Sequence, residues 1–381
     1  MGHSEKSDWL KSQQKSQKKY RFIVATIGII VLLSVLGGVG YVYMNKNKGK
    51  INGDNNIDIS NKPNDGKKSG DPTANGETYF TWDKKPVDLT ITPNPSLKKV
   101  FYGINYGPVN ATFPWCTNTL GDVIEDVKLI SQLTNRIRLY GMDCHMSDWT
   151  LEAIKLLKLD MTIVPTIWVD NNDTTYQRQH DTLIDMVKKY GVDNIDGVSV
   201  GNEVLFRKEV TPEKLFGRLA DVRQEINSMG FKKKVPVFTS DLGSNVDAAY
   251  VAANDIMWAN VHPYFGGVPV EQASQWTFEF FDENDVKPAK AVGKDAIISE
   301  VGWPTAGASE GAAVASIPNL QIFLNTFICD ANKLKYKYYY FETFDTPWKE
   351  RTWTKLEGSW GIFYDDRSLK PGITLPDCLA G

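Results

Sequence analysis

From residue 98 onward, two patterns of apolar positions alternate along the chain. Short, nearly continuous apolar runs lie at 100–107, 136–141, 161–169, 197–203, 235–241, 256–265, 295–305 and 336–345. Runs of that length and density are expected of strands buried on both faces. Between them the apolar positions fall at helical spacing. Val123, Ile124, Val127, Ile130 and Leu133 mark one helix. A second is predicted after Thr211 and Pro212, with Glu213 in its first turn and Gly230 as its stop. A third covers 177–191. Eight predicted strands alternating with helices predict a (β/α)₈ barrel, the TIM barrel. The alternative is an open, doubly wound sheet, but no G-x-G-x-x-G turn follows the first strand to favour its dinucleotide-binding form.

The chain before residue 98 reads differently. Residues 22–44 carry no charge and meet the roughly 20-residue length needed to span a bilayer as a helix. Tyr20, Tyr41 and Tyr43 flank this run as interfacial aromatics do. A cleaved signal peptide is the competing reading, and it would need a shorter apolar stretch and a small-residue cleavage site. Lys6, Lys11, Lys15, Lys18, Lys19 and Arg21 precede the run, and Lys46, Lys48 and Lys50 follow it. That bias places the N-terminus in the cytoplasm. The expected organisation is a cytoplasmic tail (1–21), a transmembrane helix (22–44), a flexible linker rich in Asn, Gly, Asp, Lys and Ser (45–97), and a catalytic barrel (98–381). The expected topology is single-pass type II in the cell membrane, with the barrel facing outward or into the secretory lumen.

Composition adds constraints. The 381 residues are 42% hydrophobic with a net charge of −3, which provides a large core and disfavours nucleic acid as a partner. Cys116, Cys144, Cys329 and Cys378 suit two disulfides in an oxidising compartment, with three possible pairings. Their wide spacing argues against zinc, and no metal cluster or nucleotide loop is visible, so no cofactor is expected. Asn110 and Asn172 begin glycosylation acceptor sequences. The chain is expected to act as a monomer.

The candidate chemistry lies at two strand ends. Glu203 closes the fourth predicted strand and Glu300 sits in the seventh, each behind an apolar run. In a barrel these ends meet at the catalytic face, where an ionised carboxylate and a protonated one could cleave a glycosidic bond. Barrel-mouth salt bridges are the bland explanation of the same pair. Asn202, beside Glu203, could hydrogen-bond a sugar 2-hydroxyl.

Four stretches, GNEVLFR, ISEVGWPT, RLYGMDC and VHPYF, together resemble glycoside hydrolase family 17, and the likeness covers roughly 98–380. The N-terminal anchor is similar to that of fungal cell-wall members. The resemblance implies a retaining β-1,3-glucan-active enzyme, with Glu203 as acid/base and Glu300 as nucleophile. It implies that Tyr264 lies beside Glu300 and that Tyr140 and Asp143 line the donor side. Asn105 and Tyr106, at the end of the first strand, are similarly placed at the mouth. Trp303 and Trp348 are candidate sugar-stacking platforms, with Trp353 near the second. Met142 stands where the family usually has a small residue, a departure that could narrow a subsite. His262 reads as a satisfied barrel histidine, and neither Glu342 nor Asp345 is assigned a role. Trp360 and Phe363 are expected to pack in a closing element that ends at Lys370.

The expected activity is transfer of the glucosyl chain to another glucan, with some hydrolysis. The alternatives are a mainly hydrolytic endo-β-1,3-glucanase, a catalytically inactive glucan-binding surface module, and a receptor ectodomain. The last would need signalling motifs in the N-terminal tail, and none is legible there.

Overall fold

The computed structural model describes Tyr79–Phe80 and residues 86–380, in two separate units. The expected transmembrane helix at 22–44 lies outside the described residues. Among those described, no helix is long and apolar enough to cross a membrane. Within the stretch expected to be a tether, Tyr79–Phe80 pairs antiparallel with Pro86–Val87.

The large unit starts at Leu89 and is built on one parallel sheet. Its strands are β1 (Gly103–Asn105), β2 (Arg136–Arg138), β3 (Thr162–Val164 continuing as Thr166–Ile167), β4 (Val198–Asn202), β5 (Val237–Leu242), β6 (Met257–Asn260), β7 (Ala296–Val301) and β8 (Tyr338–Tyr340). Nine hydrogen-bonded segments run in the order β3-β2-β1-β8-β7-β6-β5-β4-β3. The first and last are the halves of β3, split at Pro165, which has no N–H to donate. The ring is therefore closed at Pro165, whose carbonyl accepts from Ser199 N at 3.0 Å. The solution is TIM-barrel-like rather than an open sheet.

A helix follows each strand: α1 (Leu120–Ile130), α2 (Met146–Leu156), α3 (Asp173–Tyr190), α4 (Pro212–Ser228), α5 (Ala248–Ala253), α6 (Val270–Phe281), α7 (Ile317–Phe323) and α8 (Pro347–Thr352). Their starts are locally encoded. Thr119 forms a capping box with Asp122 on α1, and Thr211 caps α4 just ahead of Pro212. Helix α3 begins four residues before the expected 177, because the Asn172 side chain accepts from Thr174 N and sets the start.

The barrel interior is layered by the two-residue repeat of its strands. A lower layer holds Val164, Phe238, Trp258, Ile297 and Tyr339, with Phe238 and Trp258 stacked at 4.2 Å. Gly103 belongs there by necessity, since a Cβ on it would lie 2.5 Å from the Tyr339 ring. Two residues further along the same strands the layer turns polar: Asn105, Ser240, Asn260 and Ser299, all buried, with Arg138 among them. Both disulfides form, Cys116–Cys144 and Cys329–Cys378. This is one of the three pairings the sequence allowed.

Candidate active site

Arg138 is the centre of the polar layer. Its guanidinium has no exposure. Nη1 donates to Glu300 Oε1 at 2.8 Å, and Nη2 donates to Asn202 Oδ1 at 2.8 Å and Ser240 Oγ at 2.7 Å. Asn105 fixes it from below, accepting from Nη1 at 3.2 Å and donating to the Ser299 carbonyl at 3.0 Å. A planar cation with donors in a fixed fork is suited to joining strands this way.

Both glutamates sit where strand register breaks. The β4–β5 pairing shifts between Ser199 and Asn202, and the β6–β7 pairing shifts between Ile298 and Glu300. Such irregularities re-aim a side chain, and they recur beside active sites. Glu203 follows with φ +55, and Gly201 has φ +85.

The two carboxyls have opposite surroundings. Glu300 is buried and accepts from Arg138 and from the Tyr140 hydroxyl at 2.9 Å. His262 Nε2 lies 3.2 Å from its other oxygen; an ionised carboxylate only accepts, so that nitrogen carries the proton. Burial pushes Glu300 upward, but the His262 hydrogen bond and the Arg138 charge outweigh it and hold the carboxyl at about 2. Glu203 is half-buried, with the Asn260 amide donating to it at 2.8 Å. Desolvation and the charge on Glu300 raise it to about 7, against lesser lowering by Asn260 and Arg207. Between these values one group is ionised while the other keeps its proton. One chain of hydrogen bonds carries both: Glu203–Asn260–Asn202–Arg138–Glu300.

Of the residues singled out by sequence, Glu203, Glu300, Asn202, Asn105 and Tyr140 converge here. Others go elsewhere. Tyr264 is buried against Trp303 and Trp360, its hydroxyl donating to the Ala308 carbonyl; the tyrosine on Glu300 is Tyr140. Tyr106 points away from the mouth, because strand alternation turns it outward from its neighbour Asn105, and its hydroxyl donates to Asp126 on α1 at 2.6 Å. Trp303 has no exposed surface, donates to the Val314 carbonyl and offers no stacking face. Asp143 is held by Arg178 through two bonds of 2.8 Å and by Gln179 at 2.6 Å, which occupies its oxygens. Met142 is buried, so it does not line the cleft surface. Trp348 is partly exposed at the start of α8, edge-on to Trp353 at 5.2 Å.

The sequence reading passed over Arg138, Ser240 and Asn260. Their signal was a polar side chain inside an apolar strand, and Ser240 and Asn260 fall two residues after the core positions Phe238 and Trp258. His262, expected to be a satisfied barrel histidine, bonds Glu300 through Nε2, while its buried Nδ1 has no hydrogen-bond partner among the described residues. Glu342 accepts from Thr346 and Lys349, and Asp345 accepts from buried Lys370 at 2.7 Å. These bonds lock the segment after β8. Trp360 and Phe363 pack there in the core.

Comparison with known proteins gives the family. The profile of the BtgE/BtgC glycoside hydrolase domain matches residues 103–361. The chain is similar to a probable glucan endo-1,3-beta-glucosidase of Aspergillus fumigatus, at 38% identity over 336 residues, covering 81% of this chain and 47% of that one. A glucan endo-1,3-beta-glucosidase of Emericella nidulans is 34% identical, covering 79% and 50%. This chain thus spans about half the length of the curated relatives it matches. Among solved structures it resembles a glycoside hydrolase family 17 beta-1,3-glucanosyltransferase from Rhizomucor miehei, with TM-score 0.64 and 29% identity, covering 74% of this chain and 99% of that one. An active-site mutant of that transferase in complex with laminaritriose matches with TM-score 0.65, the same identity and the same coverage.

Proposed function

Because this chain belongs to the BtgE/BtgC glycoside hydrolase family, on the family 17 scaffold, we propose that it is a retaining enzyme acting on β-1,3-glucan and chiefly a glucanosyltransferase. The observation that carries this reading is the contrast between two strand-end carboxyls: Arg138, Tyr140 and His262 bond Glu300 and hold it ionised, whereas Glu203 takes the Asn260 amide and burial raises it. Similar groups driven apart by their surroundings are the expected arrangement of a nucleophile and a general acid.

In the first step Glu300 attacks the anomeric carbon of the sugar at the cleavage point. The glucosidic C–O bond breaks, and the leaving oxygen takes the Glu203 proton. A glucosyl ester of Glu300 and a shortened glucan result. In the second step an acceptor hydroxyl loses its proton to Glu203 and attacks the same carbon, which releases Glu300 with the β configuration restored. A glucan acceptor gives a longer chain; water gives hydrolysis. Asn202 presents its amide beside Glu203, with the oxygen already accepting from Arg138, Ser240 and Asn260. The amide nitrogen is the end left for the 2-hydroxyl.

The preference for transfer is supported by the partly exposed Trp348–Trp353 pair, which offers an apolar face to an acceptor sugar, and by the likeness to a solved transferase. Hydrolysis is the second reading, since the curated relatives are named as glucosidases. Full-length protein in detergent, incubated with a reducing-end-labelled β-1,3-glucan oligomer, tests this. Products longer than the substrate are expected; only shorter products would leave hydrolysis as the activity.

We place the barrel outside the cell, tethered through residues 22–44. The uncharged run and the lysine bias support this, as do the exposed acceptor residues Asn110 and Asn172. Protein carrying that run should resist alkaline carbonate extraction from membranes, whereas deletion of 22–44 should release it. Extraction of the intact chain would remove the anchor from the reading.

A further inference from the structure

The turn that presents Glu203 is an unusual piece of backbone. Gly201 and Glu203 have φ of +85 and +55, and the strand pairing slips just before them. For a glutamate that conformation costs on the order of 1–2 kcal/mol, and it persists only where the surroundings over-determine it. From one side Asp241, buried at the end of β5, accepts from Leu205 N at 2.9 Å and Phe206 N at 3.3 Å. From the other side stands Arg207. Its Nη1 donates to the Asn202 carbonyl, its Nη2 to the Val169 carbonyl at 3.3 Å, and its backbone N to the Glu203 carbonyl at 2.9 Å. The guanidinium lies 4.6 Å from the centre of the Trp168 ring.

Resting on the reading of Glu203 as acid/base, we propose that Arg207 is a positioning residue for this reaction: it braces the left-handed turn that carries Glu203, tying it to the end of β3, and turns its charge on that carboxyl. The fork matters. Two carbonyls, one at the end of β4 and one just past β3, are reached by a planar group stacked on an indole, a geometry a lysine ammonium does not reproduce. The charge matters independently. Arg207 lowers Glu203, while Glu300 and Asp241 raise it. Arg138 lies beneath on the Asn202 side, and Glu209 pairs with Arg207 at 3.4 Å and partly neutralises it. Arg207 thus keeps the acid from holding its proton so tightly that it cannot release it to the leaving oxygen.

The test follows the Glu203 carboxyl directly, by ¹³C-glutamate NMR assigned with Glu203→Gln, alongside kcat/KM against pH. In Arg207→Met the Glu203 midpoint and the alkaline limb are expected to move up by about 1 pH unit. In Glu209→Gln, which drops the charge facing Arg207 but keeps an amide oxygen for the Asn171 N–H, both should move down. In Arg207→Lys the midpoint should stay near that of the unaltered protein, while kcat/KM on a β-1,3-glucan oligomer falls about tenfold and hardly changes on a dinitrophenyl glycoside, whose leaving group needs no acid. A Glu203 midpoint unmoved in both Arg207→Met and Glu209→Gln overturns the charge role. Full glucan activity in Arg207→Lys, or equal losses on both substrates, overturns the brace. The expected midpoint shifts in a protein that cleaves no glucan would uphold Arg207's action on Glu203 while removing the activity proposed above.

Discussion

The two strand-end glutamates are the same residue type in opposite surroundings, so replacing each by glutamine should have opposite consequences for stability. Glu203 is raised from its ordinary 4.5 to about 7. The folded protein keeps a proton that the unfolded chain releases, so this group costs stability as pH rises from about 4.5 to 7. Glutamine cannot ionise, and Glu203→Gln should stabilise the fold above pH 7 by on the order of 3 kcal/mol, with little effect near pH 4. Glu300 is lowered from 4.5 to about 2. Its contribution is present above about 4.5 and is lost as pH falls toward 2, so Glu300→Gln should destabilise at neutral pH and leave Arg138 buried without its anion. Urea unfolding of both variants at pH 4 and pH 8 checks the two signs. In turnover, kcat/KM should fall on the alkaline side near 7 as Glu203 loses its proton. Tyr140→Phe removes one hydrogen bond to an ionised group, and a loss of roughly 10- to 100-fold in kcat/KM is expected. Rates equal to those of the unaltered protein would remove Tyr140 from the site. At this scale the sequence placed both glutamates at strand ends, while the family resemblance put Tyr264 on Glu300, where the structure has Tyr140. Nothing in the local spelling distinguishes a tyrosine facing the barrel axis from one packed behind it.

At the scale of elements, periodicity was sufficient to locate all eight strands, and Thr211 with Pro212 marked the start of α4. It could not show which strand residues form the polar layer. Arg138 and Asn260 stand in runs that read as continuous core, and they became site residues only because the two-residue repeat stacks them above Phe238, Trp258 and Tyr339. The register breaks beside Glu203 and Glu300 were equally hidden, since a bulge is a property of two paired strands. The disulfides act on elements too. Cys329–Cys378, bridging 49 residues, fixes the C-terminal segment to the helical stretch after α7. The loop it closes corresponds to roughly 4 kcal/mol of restricted unfolded chain. Reduction, or Cys329→Ser with Cys378→Ser, should lower the melting temperature by many degrees. An unchanged melting temperature would show the bridge to be dispensable.

For the whole molecule, the decisive event is closure at Pro165. The halves of β3 pair with β2 on one side and β4 on the other, and only that closure brings Asn105, Arg138, Ser240 and Asn260 around one axis. Arg138 bonds to residues of β1, β4, β5 and β7 at once. Arg138→Met should therefore act globally: losing a buried ion-pair partner costs about 3–5 kcal/mol, and activity should fall with it. Calorimetry and turnover on the same preparation would show both. A stable, active variant would mean that Glu300 is held by other groups.

The amino-acid sequence determined the strand and helix pattern, the four cysteines, and the two glutamates placed at strand ends. Each is written in neighbouring residues, as spacing, caps or a polar break in an apolar run. Tertiary structure alone decided the cysteine pairing, the packing of Trp303 and Tyr264 into the core, the engagement of Asp143 by Arg178, and the different surroundings of Glu203 and Glu300. Those outcomes depend on hydrogen bonds and desolvation between residues far apart along the chain, and such contacts exist only once the barrel has closed.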